Sequence, residues 1–284
     1  MIPFDLQEPR SLREALGLLN VDDPAVRPLG GGTALMLMMK AGVFRPSRIV
    51  SLRRIEPRYS EISTADGELR IGAMATLAAL EHSPLVRRGL PIVARTLLTL
   101  ANVRVRNVAT LGGHLAHADP HMDLPPVLMA LGARLITTSA AGERTIPAEA
   151  LFTGYYETVL APGELITEVR IPVQGTRRAA YLKCTTRSAD DWPALGVAVV
   201  LDTEGSIMRE VRVVVSAATD KATRLPGVEA LLRGQRADAA LLQRAGEAAA
   251  DEANVISGVR GSAAYKRQLL RVHIGRAVQQ ALQQ

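Results

Sequence analysis

NVRVRNVATLGGHLAHADPHMDLPP, Asn102–Pro126, is the stretch on which the reading of this chain turns. A short run of alternating valine and arginine leads, like a β-strand, into Thr110-Leu111-Gly112-Gly113. Asp119 and Asp123 follow, four residues apart. Two adjacent glycines leave main-chain N–H groups that no side chain covers, and such a nest takes an anion, most often a phosphate. A carboxylate further along suits sugar-like hydroxyls, which donate hydrogen bonds to it. A second glycine run, Gly30-Gly31-Gly32-Thr33-Ala34, lies at another strand-to-helix junction, so two loops can share one diphosphate. It is not a G-x-G-x-x-G fingerprint, because the third glycine position holds Leu35, and no Walker lysine follows.

The elements on either side follow from caps and periodicity. Ser11-x-x-Glu14 reads as a capping box for a helix bearing Leu12, Ala15, Leu16 and Leu19, ended by Asp22-Asp23-Pro24. Val26–Leu29 and Arg48–Leu52 read as strands around a helix from Thr33 to Ala41, closed by Gly42. Leu69–Ala73 reads as a strand, Thr76 as the cap of a helix Leu77–His82, and Pro84–Ala101 as one longer helix. Pro125-Pro126 opens an apolar helix that stops at Gly132. Arg134–Thr138, Glu143–Ile146 and Leu165–Ile171 follow as strands. After Val173-Gln174-Gly175 the pattern changes to three antiparallel strands, Ala180–Thr185, Ala194–Leu201 and Val211–Ser216. Three helices close the chain: Val228–Leu232, Asp238–Glu252 and Ser262–Gln280. The class is α+β, divided at residues 1–175 and 176–284, the first part with subdomains of about 1–55 and 56–175.

Composition narrows the function. With 284 residues and 48% hydrophobic content the chain can bury a sizeable core. Only 3% of residues are aromatic, which argues against stacking bases in series. The net charge of +6 is spread over scattered pairs such as Arg53-Arg54, Arg87-Arg88 and Arg177-Arg178, a solvated pattern and not a nucleic-acid stripe. Cys184 is the single cysteine, so neither an internal disulfide nor a four-thiolate iron–sulfur cluster can form within the chain. MIPFDLQEPRSL has no apolar signal region, and the longest apolar run, Ala34–Met39, is too short to span a bilayer. A cytoplasmic location is the expectation.

Four segments, in order, resemble a known family: GGGTALMLMMK (30–40), VRVRNVATLGGHLAHADPHMDLPPVLMALGA (103–133), YLKCTTRSADDWPALGVAVVL (181–201) and SGVRGSAAYKRQLL (257–270). They are similar to the FAD-binding medium subunit of the molybdenum hydroxylases, the xanthine dehydrogenase and aerobic carbon monoxide dehydrogenase group. The resemblance implies a two-subdomain FAD-binding domain of the vanillyl-alcohol-oxidase (PCMH) type, then a C-terminal α+β domain with a three-stranded sheet and helices. It implies FAD on this chain, a small partner subunit with 2Fe-2S clusters and a large one with a molybdenum–pterin cofactor. The assembly would be a dimer of heterotrimers passing electrons to an external acceptor.

Carried over residue by residue, the resemblance places Gly30, Gly31, Gly32, Thr33 and Ala34 at the diphosphate with Thr110, Leu111, Gly112, Gly113 and His114. Charge-assisted bonds contribute about 1.5–3 kcal/mol each, so four or five would explain tight non-covalent retention. His114 departs from the family, which has Asn or Asp there. Asp123 would touch the flavin side, although an Asp before Leu124-Pro125 also reads as a helix N-cap. Ile166 would pack on the isoalloxazine. Lys183 would stabilise negative charge at the N1–C2 carbonyl edge, or else be a solvated strand lysine. Trp192 would shield the flavin or anchor a domain interface, and Asp119 would serve the turn with Pro120.

Three competing functions follow from other features. His114, His117 and His121 crowd into eight residues, which would suit a metal-dependent hydrolase, but the Pro-containing segment does not present them rigidly and no metal is expected. A stand-alone flavin oxidoreductase acting on a small alcohol needs a base beside the flavin motifs, and none stands out. A basic nucleic-acid module is the third. No acid–base catalyst is expected on this chain.

Overall fold

The computed structural model describes residues 2–19 and 22–284. Three strands near the N-terminus, β1 (Asp5–Gln7), β2 (Val26–Leu29) and β3 (Arg48–Ser51), form a parallel sheet in the order β1-β3-β2. Helices α1 (Leu12–Leu18) and α2 (Thr33–Lys40) supply the crossovers that parallel strands require. Ser11 caps α1 by accepting from Glu14 N at 3.1 Å, while Glu14 reaches back to Arg10 N at 2.8 Å. The helix stops at Leu18, ahead of the expected Asp22-Asp23-Pro24.

The second unit is an antiparallel sheet. Its strands are β4 (Ile62–Ala65), β5 (Glu68–Gly72), β6 (Arg134–Ser139), β7 (Gly142–Pro147) and, after the short helix α9 (Ala148–Leu151) and the hairpin β8 (Phe152–Gly154) and β9 (Glu157–Thr158), β10 (Leu165–Pro172). Their order is β4-β5-β10-β6-β7. Six helices lie between β5 and β6: α3 (Leu77–His82), α4 (Pro84–Gly89), α5 (Pro91–Leu97), α6 (Val103–Arg106), α7 (Leu111–His117) and α8 (Leu124–Leu131). Two sequence expectations fail here. The single helix Pro84–Ala101 is two, because Pro91 has no N–H to give and Leu90, at φ −136° and ψ 62°, is not helical. The β-like run before the glycine doublet is helix α6: the side chain of Asn102 caps it by accepting from Val105 N at 3.1 Å, and that cap outweighs the valines' strand preference.

The third unit has the order β11 (Arg178–Cys184), β12 (Leu195–Glu204), β13 (Ile207–Ser216) and β14 (Thr223–Arg224), so a two-residue strand joins the three long ones. Helices α10 (Pro226–Leu232), α11 (Ala239–Glu252) and α12 (Ala263–Leu282) cover one face. The other face packs on α8, all eight residues of which are buried. Burial on both faces explains why β12 reads as a continuous apolar run and not as an alternation. Gln174 lies in the segment joining the second and third units. Its side chain accepts from Ile92 N at 3.2 Å and donates to Arg177 O at 2.9 Å, pinning the junction to α5.

Candidate functional site

The two glycine segments meet. A Cβ on Gly30 would stand 2.6 Å from Thr110 Oγ1, and one on Gly31 would stand 2.1 Å from the carbonyl oxygen of Val108. Only glycine allows that approach, and Gly32, at φ 77°, makes the left-handed turn into α2. The residue pattern that brings β2 and α2 against the segment before α7 therefore also strips the junction of side chains.

The two helix starts differ in what they offer. At α7 the first-turn donors are used internally: Leu111 N donates to Ala75 O at 2.9 Å, Gly112 N to Ala73 O at 2.7 Å and Gly113 N to Thr110 Oγ1 at 3.2 Å. The expectation of a bare nest at Gly112-Gly113 is thus corrected, since a helix begins there and its donors are capped. Gly112 is instead a packing glycine, whose Cβ would lie 2.7 Å from that of Ala73. At α2, among the described residues, the N–H groups of Thr33, Ala34 and Leu35 have neither a main-chain nor a side-chain acceptor. Among the described residues it is therefore the start of α2, and not that of α7, that keeps unpaired donors at the positive end of a helix dipole. Thr110 accepts with its oxygen and keeps its hydroxyl hydrogen for a neighbour.

His114 Nε2 is buried without a hydrogen-bond partner. Burial, reinforced by the nearby charge of His117 and only partly offset by Asp119, holds its pKa down at about 4. The ring is neutral at ordinary pH and has one nitrogen still to satisfy. The other two histidines go elsewhere. His121 Nδ1 pairs with Asp119 Oδ1 at 2.9 Å, and its ring stacks on Trp192 at 5.6 Å and 15°. His117 packs edge-on against Tyr156 at 5.2 Å. Burial opposes the charge on Asp119, but bonds from the His121 ring and main chain and from the Tyr156 hydroxyl hold its carboxyl below the usual range. Among the described residues no group of three His, Cys, Asp or Glu is placed to hold a metal.

Asp123 does not cap α8: its backbone is helical, and its carboxylate makes no capping bond. It accepts instead from Tyr181 Oη at 2.6 Å and from Lys183 Nζ at 2.9 Å, and Lys183 also donates to Thr99 O at 2.8 Å. Burial pushes the Asp123 pKa up, against the pull of Lys183 and Tyr181. Lys183 is therefore no solvated strand lysine, because it ties β11 to the start of α8. Tyr181 and Thr99 escaped the sequence reading. Residues 181 and 183 share one face of a strand, the signal that could have found Tyr181. Ile166 lies beside a bulge in β10 and lines a narrow cleft with Leu12, Leu52 and Met74.

The family described as FAD binding domain in molybdopterin dehydrogenase matches residues 2–174, and the CO dehydrogenase flavoprotein C-terminal domain matches residues 180–281. The chain belongs to the FAD-binding medium subunits of the molybdenum hydroxylases. Among members of this medium-subunit family, the nicotine 6-hydroxylase medium subunit of Paenarthrobacter nicotinovorans is 35% identical over 96% of this chain and 95% of its own. The carbon monoxide dehydrogenase medium chain of Hydrogenophaga pseudoflava is 33% identical over 99% and 98%. The solved carbon monoxide dehydrogenase of that organism superposes with a TM-score of 0.95 at 32% identity, over 99% of both chains. The medium-subunit fold thus extends over all three units, and the residues at its glycine junction suit the family's cofactor. A side-chain-free cradle, unpaired helix donors and an orphaned imidazole nitrogen are what an anionic dinucleotide requires.

Proposed function

We propose that this chain is the FAD-holding electron-transfer subunit of a molybdenum-containing hydroxylase, working between an iron–sulfur subunit and an external acceptor. The observation that carries the reading is the contact of Gly30 and Gly31 with Val108–Thr110 beside three unpaired N–H groups of α2. Gly30–Ala34 and Thr110–Gly113 would enclose the diphosphate, with α2 donating main-chain bonds and Thr110 its hydroxyl. His114 would donate through Nε2 as a neutral ring, a hydrogen bond that adds no charge. Asp123 and Lys183, already paired, would border the ring system with Ile166, and Trp192 would cover it. What bound FAD supplies is a centre that takes up electrons singly and releases them in pairs. This chain contributes retention, orientation and the electrostatics around that centre.

The assembly would hold a small 2Fe-2S subunit and a large molybdenum–pterin subunit as a dimer of heterotrimers in the cytoplasm. The domains would divide at residues 175 and 176, with the first subdomain ending near residue 55. Among the described residues no helix is long and apolar enough to cross a membrane. The test is direct. The purified chain, offered FAD, should bind one equivalent and show flavin absorbance that survives gel filtration. A folded preparation that stays colourless would end the reading.

A further inference from the structure

A cavity of about 560 Å³ lies away from the glycine junction, between β11 and α12. β11 is the outer strand of its sheet and, among the described residues, pairs only with β12. Two bonds fix which of its residues face outward. Cys184 O accepts from Ala194 N at 2.8 Å, on the β12 side, whereas Ala179 O accepts from Arg95 at 3.1 Å, on the open side. In an antiparallel strand the N–H and C=O of one residue point the same way and alternate along the chain. Tyr181 and Lys183 therefore direct their main-chain groups away from β12. Arg95 covers the start of this edge, and the cavity opens along its end, at Leu182–Thr185.

The opposite wall is one flank of α12. Leu269, with Leu182 and Cys184, makes an apolar floor, and burial pushes the Cys184 thiol up to about 11, so that wall stays neutral. Arg276 and His273 line the rim. His273 Nδ1 lies 2.9 Å from Leu269 O, and a carbonyl only accepts, so the proton sits on Nδ1 and Nε2 is left as an acceptor. The twenty residues of α12 include no Asp or Glu. Among the described residues Arg267, Arg271 and Arg276 form no ion pair with a carboxylate.

A strand edge with open main-chain groups, an apolar floor and an uncompensated arginine on a neighbouring helix is the arrangement by which a peptide joins a sheet as an added strand. We propose that this groove receives an extended segment of a partner subunit, which pairs with the Lys183 main chain, lays an apolar side chain on Leu269 and turns a carboxylate to Arg276. The proposal rests on the assembly reading above; because the Lys183 side chain also borders the proposed flavin site, exchange is compared at equal FAD loading.

The test uses the full chain, alone and co-expressed with its partner subunits. Amide hydrogen exchange at Lys183 should slow at least tenfold on assembly. Arg276→Glu should weaken assembly at least tenfold, while Arg267→Glu, the same charge change on another flank of α12, should change it less than threefold. Flavin absorbance should persist in both variants. Unchanged exchange at Lys183, or an Arg276→Glu chain that assembles like the parent, would overturn the proposal. Protection that appears in the isolated chain and grows with its concentration would give the groove to a second copy, and would also overturn it. A colourless chain would refute the cofactor reading alone, and exchange at Lys183 would still decide the groove.

Discussion

Replacing Gly31 by alanine adds one methyl group where the main chain of another segment already stands. The new Cβ would lie 2.1 Å from Val108 O and 2.7 Å from the Cα of Ala109. Ordinary contact begins at 3.4 Å, so the loops must part by about 1.3 Å. The facing segment does not yield easily, since Ala109 N donates to Val105 O at 2.8 Å and Ala109 O accepts from Leu77 N at 2.9 Å. The movement falls on the glycine loop and the start of α2. A hydrogen bond of about 2.9 Å lengthened by that much no longer counts as one. Losing two charge-assisted bonds at about 1.5 kcal/mol each removes roughly 3 kcal/mol, on the order of a hundredfold in Kd. The assay is FAD titration of deflavinated protein by fluorescence quenching. Gly17→Ala in α1 serves as the control, since a Cβ there meets nothing within 4 Å and helix propensity favours alanine. If Gly31→Ala binds FAD within threefold of the parent, the two segments do not close on the cofactor.

Two further outcomes are expected. Lys183→Met strands the Asp123 carboxylate in a buried site, and removing one partner of such a pair costs about 3 kcal/mol. The loss should be read by thermal melting of the FAD-free chain at pH 7 and should shrink on acidification, which protonates Asp123; a loss below about 1 kcal/mol would show the pair to be unimportant. His114 is neutral when folded down to about pH 4 but would protonate near its ordinary value of 6.5 when unfolded, so its burial costs stability as pH falls through that window. At pH 5 that cost is about 1–2 kcal/mol, and His114→Asn should therefore gain on the parent between pH 8 and pH 5; parallel pH–stability curves would refute the burial argument.

Much of the fold was legible because it rests on local chemistry. Ser11, Thr76, Asp238 and Ser262 each cap the helix that follows, and Gly132 ends α8 in the left-handed conformation. These interactions span a few residues, so their signals lie side by side in the chain. Where local signals competed, the reading failed. The alternating Val103–Arg106 run looked like a strand, yet Arg106 is held by Glu81 at 2.7 Å and by Ala101 O at 2.6 Å, which locks a helical turn. Asp123 looked like a cap, but its partners come from residues 181 and 183, near in space and far along the chain.

Taken by itself, the sequence determined the α+β class, most helix ends, the family, and the need for side-chain-free main chain at Gly30–Gly32. Tertiary structure decided which of the two helix starts keeps its donors, because Ala73 and Ala75 fill those of α7 and, among the described residues, nothing fills those of α2. It also decided that Lys183 faces a buried carboxylate, and that the end of β11 lies open against α12. Each outcome depends on which distant main-chain group reaches a donor first, and spacing along one chain carries no record of that distance.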